Sequence, residues 1–130
     1  MLTLIALLAS VQAASAPTSV DGPVLQEEVT VIGKKLRDWR GSLKTQGKAT
    51  RCVTKRSTGD RDIDKIGCDA MVTCFPRFAD EFNAVLSTAG DKVSRSRMNA
   101  EINQRLTECV EERHDKLVET LADQRAIGRF

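Results

Sequence analysis

The chain has 130 residues, of which 41% are hydrophobic and 4% aromatic, and its formal net charge is +2. That length suits one small domain rather than two. With no tyrosine and a single tryptophan, an aromatic sugar-binding platform has little material.

Residues 1–16, MLTLIALLASVQAASA, open with an apolar run from Leu2 to Val11, followed by small residues. Ala14 and Ala16 both end small-x-small cleavage patterns, so the segment reads as a signal peptide. No Lys or Arg precedes the run, and a buried N-terminal helix is the competing reading. The run is shorter than the roughly 20 apolar residues a bilayer span requires. No later window has that character. The expected location is the periplasm or the exterior.

Residues 17–33 read as a flexible acidic arm, punctuated by Pro17, Gly22 and Pro23, with Asp21, Glu27 and Glu28 as its charges. Val29, Val31 and Ile32 suggest one short strand within it. The stretch Glu27–Glu28–Val29–Thr30–Val31–Ile32–Gly33–Lys34–Lys35 resembles the E-x-V-V-T-G-x-R-like segment near the mature N-terminus of many TonB-dependent outer-membrane receptors. It is also similar to the opening of small exported alphaproteobacterial proteins of unknown function. The resemblance implies a bacterial envelope location. It would also allow TonB contact by strand addition through Val29, Val31 and Gly33.

From residue 34 a single domain is expected to run to residue 130. Its opening is strongly basic. Between residues 34 and 61, ten cations face two acids, whereas residues 62–130 carry ten bases and thirteen acids. Leu36, Trp39 and Leu43 have the spacing of a short amphipathic helix, weakened by Gly41 and Gly47. A second helix is expected over about Arg61–Cys74, capped by Asp60, with Ile63, Ile66, Ala70 and Cys74 near one face and Gly67 interrupting it. Pro76 opens a third helix running to about Ala89, with a stripe of Phe75, Phe78, Phe82, Val85 and Leu86 and a Gly90 cap. From Asp91 to about Ala126 neither Gly nor Pro occurs, and Met98, Ile102, Leu106, Cys109 or Val110, Leu117 and Leu121 recur at helical steps. Such a helix outruns a small domain, so its tail is free to project or to form a homodimer. A break near Asn99 or His114 would divide it.

Cys52, Cys68, Cys74 and Cys109 make an even set, which in an exported small domain suggests two disulfides. Three connectivities are possible. Cys74 shares a face with Ile63 and Ile66, while Cys68 lies about 120° away on the same helix. This favours Cys52–Cys68 with Cys74–Cys109. The spacings fit no compact zinc knuckle, and there is no CxxC motif. The expected fold is all-α: a small disulfide-stapled helical domain of three or four helices behind the arm.

Lys34, Lys35, Arg37, Trp39, Arg40, Lys44, Lys48, Arg51, Lys55 and Arg56 form the candidate site for an anionic partner. Its competing reading is a solvated basic face with Trp39 in the core. The partner would be an anionic envelope component, reached by peripheral membrane contact, or an acidic protein. Export argues against nucleic acid. No metal or cofactor is expected. Asp60, Asp62 and Asp64 fail as a calcium loop, because the sixth and twelfth positions hold Lys65 and Met71. His114, the lone histidine, reads as exposed, and Glu108, Glu112 and Asp115 have no evident buried partner carboxylate. The role expected is therefore non-enzymatic binding or accessory work. A small secreted hydrolase or toxin, and a structural protein dimerising through the last helix, are the alternatives.

Overall fold

In the computed structural model, the described residues are 22–46, 49–88 and 90–128. The signal-peptide reading and the first residues of the arm lie outside them. Four helices, α1 (Gly22–Asp38), α2 (Arg61–Cys74), α3 (Pro76–Ser87) and α4 (Lys92–Ile127), are joined by one hairpin of β1 (Arg40–Gln46) and β2 (Ala49–Arg56), inserted between α1 and α2 and packed on α2. The domain is predominantly helical and carries two disulfides, Cys52–Cys68 and Cys74–Cys109. Both fit an oxidising environment.

Two expectations are corrected at the front of the chain. Gly22–Asp38 is helix, so most of residues 17–33 is neither arm nor strand. Leu25, Val29, Ile32 and Leu36 recur at helical steps, and the last two are fully or nearly buried. A strand here would find no neighbouring strand, whereas a helix lays this stripe on α2 and α4. The segment resembling the receptor box therefore lies wholly inside α1.

The basic stretch is the second correction. It forms a hairpin instead of an amphipathic helix. Thr45, Thr50, Val53 and Thr54 are β-branched and favour extended backbone. The register pairs half-buried Leu43 with half-buried Cys52 and exposed Lys44 with exposed Arg51. A lone hairpin is marginal. This one is bolted to α2 through Cys52–Cys68 and packs against that helix.

α2 matches its expected span. Asp60 accepts hydrogen bonds from the amides of Asp62 and Ile63, and Ile63, Ile66, Ala70 and Cys74 are all buried. Pro76 begins α3, which ends at Ser87 with Thr88 as its cap, so Gly90 does not serve as the cap. Along the stripe, Val85 is buried and the phenylalanines are half-buried, but Leu86 is exposed. Phe75 stacks on Phe82 at 6.2 Å.

α4 is unbroken over 36 residues, or about 54 Å. Its C-terminal half is packed rather than projecting. Val118, Ala122 and Ala126 are buried, and Arg125 reaches back to Asp60 at 2.7 Å. The small alanines allow close approach of α1 and α2. It is the first turns, residues 92–98, that stand exposed. Ile102 is buried, and Leu106, Leu117 and Leu121 are half-buried within the fold.

Candidate functional site

The hairpin concentrates the cations expected to meet an anionic partner. Arg40 stands directly opposite Arg56, and Lys44 opposite Arg51. The register slips between Arg40 and Gly41, which leaves Lys55 as the extra residue of a bulge. Lys44, Arg51, Lys55 and Arg56 are exposed. Like charges facing each other across strands destabilise a sheet by a few tenths of a kcal/mol to about 1 kcal/mol per pair. No acid lies between Trp39 and Gly59 to offset them. Lys34, Lys35 and Arg37 are exposed on the last turns of α1, where cations also complement the helix dipole. Lys48 lies outside the described residues.

Other arginines and one lysine are consumed in ion pairs: Arg105–Glu81 at 2.6 Å, Arg113–Asp69 at 3.0 Å, Lys116–Glu112 at 3.6 Å and Arg125–Asp60 at 2.7 Å. The described cations of residues 34–56 form none of these pairs.

Trp39 does not belong to the exposed set. It is 7% exposed, with its indole between Gly41 and Gly67. A Cβ at Gly67 would stand 2.4 Å from the indole Cδ2, and one at Gly41 would stand 2.3 Å from Cη2. The indole Nε1–H donates to Thr54 Oγ1 at 3.1 Å, and that oxygen lies 3.8 Å from Cys68 Sγ. Trp39 is a core residue that joins α1, the hairpin and the first disulfide. As an interfacial anchor it is ruled out by burial.

His114 also departs from expectation. It is half-buried, and its Nε2 is buried without a hydrogen-bond partner. Burial pushes its pKa down, against the opposite pull of the Asp115 and Glu111 carboxylates. A neutral imidazole with its proton on Nδ1 leaves only a lone pair unsatisfied at Nε2, the cheaper arrangement. His114 lines a cleft of about 420 Å³ together with Gly33, Leu36, Arg37, Trp39, Arg40, Glu111, Asp115 and Val118. Sequence reading singled out His114 with its helix neighbours, and Arg37 and Arg40 separately, but did not bring the two groups or Gly33 together. The available signal was the i, i+3, i+4, i+7 spacing of Glu111, His114, Asp115 and Val118, which gives them one helical face.

The acids at the start of α2 are structural. Burial pushes the Asp60 carboxyl up, but the Arg125 guanidinium and the amides of Ile63 and Asp62 more than reverse this and hold it low. Asp64 is likewise held low, against burial, by Ser57 and by the Thr58 amide and hydroxyl at 2.8 and 2.7 Å. Among the described residues no group of three or more His, Cys, Asp or Glu is placed to hold a metal. No described helix is long and apolar enough to cross a membrane. Comparison with protein-family models, curated proteins and solved structures finds no match.

Proposed function

We propose that the protein is a non-enzymatic binding or accessory protein of the periplasm or cell exterior, which docks an anionic envelope surface through its basic hairpin. The observation that carries this reading is the pair of like-charged cross-strand positions, Arg40 with Arg56 and Lys44 with Arg51, on a ribbon without acids. Charges so arranged oppose folding and lose that cost when an anion sits over them. Two disulfides support an oxidising compartment. With Trp39 buried, the contact rests on charge rather than on an inserted side chain.

The test is co-sedimentation with phosphatidylglycerol-containing vesicles and with phosphatidylcholine vesicles. Binding should be confined to the anionic vesicles and should weaken steeply with added salt. Lys44→Glu with Arg51→Glu should weaken it by tenfold or more. Binding indifferent to salt and to that reversal would defeat the proposal. Capture by poly-glutamate but not by vesicles would replace the envelope surface with an acidic protein.

A further inference from the structure

We infer that the cleft between the C-terminal end of α1 and the middle of α4 binds a small zwitterion, a ligand carrying one anionic and one ammonium group. The walls are sorted by charge. Arg37 and Arg40 line it from the α1–β1 side, and Glu111 and Asp115 line it from α4. Leu36, Trp39 and Val118, each no more than 9% exposed, form an apolar floor.

The opposed charges do not pair with each other. Elsewhere on α4, opposite charges close to direct contact, as in Arg113–Asp69 at 3.0 Å and Arg125–Asp60 at 2.7 Å. No ion pair within 4.0 Å joins Arg37 or Arg40 to Glu111 or Asp115. Arg40 is held back by hydrogen bonds from its Nη1 to the carbonyls of Arg37 and Trp39, at 2.6 and 2.7 Å. The cleft is thus a preformed dipole. A simple anion entering it is repelled by the carboxylates, and a simple cation by the guanidiniums. A zwitterion satisfies both walls at once.

Size and access agree. A volume of about 420 Å³ lies within the range of small-ligand sites. Gly33, inside α1, lines the cleft, and a Cβ built on it meets nothing within 4 Å. Glycine in a helix interior weakens the helix, so an open rim is a reason for its presence. Burial lowers the His114 pKa and so disfavours a positive charge there. The cleft shares Arg40 with the hairpin, but Lys44 and Arg51 do not line it, so their reversals should leave it unaltered.

Trp39 is the only tryptophan, and it lines the cleft, so its emission reports occupancy. The oxidised protein is titrated with leucine and with phosphoethanolamine. A saturable change in Trp39 emission is expected with at least one of them, which separates an amino-acid-like ligand from a headgroup-like one. If leucine binds, N-acetyl-leucine and leucinamide, each lacking one charge, should bind at least tenfold more weakly. If phosphoethanolamine binds, ethanolamine and inorganic phosphate should do the same. Arg37→Gln and Asp115→Asn should each weaken binding about tenfold. Gly33→Leu should fill the cleft and abolish binding, with unchanged far-ultraviolet dichroism showing that the fold survives. No saturable response to either zwitterion, equal binding of a single-charge analogue, or undiminished binding by folded Gly33→Leu would overturn the inference.

Discussion

Two glycine-to-alanine substitutions should shift stability in opposite directions. In a helix interior the change normally stabilises by about 0.5–1 kcal/mol, since alanine restricts the unfolded chain and suits the helix. Gly33 in α1 meets that condition, because its Cβ would enter open space. Gly67 in α2 does not. Its Cβ would lie 2.4 Å from Trp39 Cδ2 and 2.6 Å from Cε2 and Cε3. The indole has nowhere to retreat. Its far edge is already against Gly41, and its Nε1 is fixed on Thr54. Overpacking of this kind costs about 1–3 kcal/mol. Set against the helix gain, Gly67→Ala should lose about 1–2 kcal/mol. At roughly 4–8 °C per kcal/mol, its Tm should fall by roughly 4–16 °C, while that of Gly33→Ala rises by roughly 2–8 °C. Thermal unfolding followed by circular dichroism, with Trp39 fluorescence as a second probe, measures both. If Gly67→Ala raised the Tm as Gly33→Ala does, the seating of Trp39 between two glycines would be refuted.

The disulfides and the histidine give two more expectations. Replacing Cys52 and Cys68 by alanine opens a separation of 16 residues and should cost about 3 kcal/mol, whereas replacing Cys74 and Cys109 opens 35 and should cost about 4 kcal/mol; urea midpoints of the two double variants, under non-reducing conditions, check both the size and the order. Burial, partly offset by Asp115 and Glu111 on α4, lowers the His114 pKa from 6.5, and Arg37 and Arg40 line the same cleft as further cations. The unfolded chain therefore takes up the proton first, so stability should decline as pH falls through about 6.5 and level off below the lower folded pKa. His114→Gln should flatten that segment of the urea midpoint against pH, and an unchanged slope would show that His114 is not its source.

Legibility along the chain followed the range of the interactions involved. α2 and α4 could be read because their signals are local: Asp60 as an N-cap, a run without Gly or Pro, and apolar residues at helical steps. Helix geometry favoured one of three disulfide pairings, since Cys68 and Cys74 leave α2 in different directions, and the structure holds that pairing. Residues 22–56 misled because their local and long-range preferences conflict. The polar opening of α1, with Gly22 and Pro23, resembles a linker until α2 and α4 are there to cover Ile32 and Leu36. Leu36, Trp39 and Leu43 do share a helical period, but the helix stops at Asp38: Leu36 meets the core from α1, Trp39 from just beyond its end, and Leu43 is half-buried in the hairpin.

The amino-acid sequence by itself determined the helical class, the Asp60 cap of α2 and the uneven spread of charge, and favoured one pairing of the cysteines, because each depends on neighbours a few residues apart or on elementary helix geometry. Only the tertiary structure decided that Trp39 is enclosed by two glycines, that the basic stretch folds back as a ribbon, and that Arg37 and Arg40 face Glu111 and Asp115 across an unclosed gap. Those outcomes turn on which surfaces compete for burial and on distances between residues more than 70 positions apart, quantities that no local period or composition records.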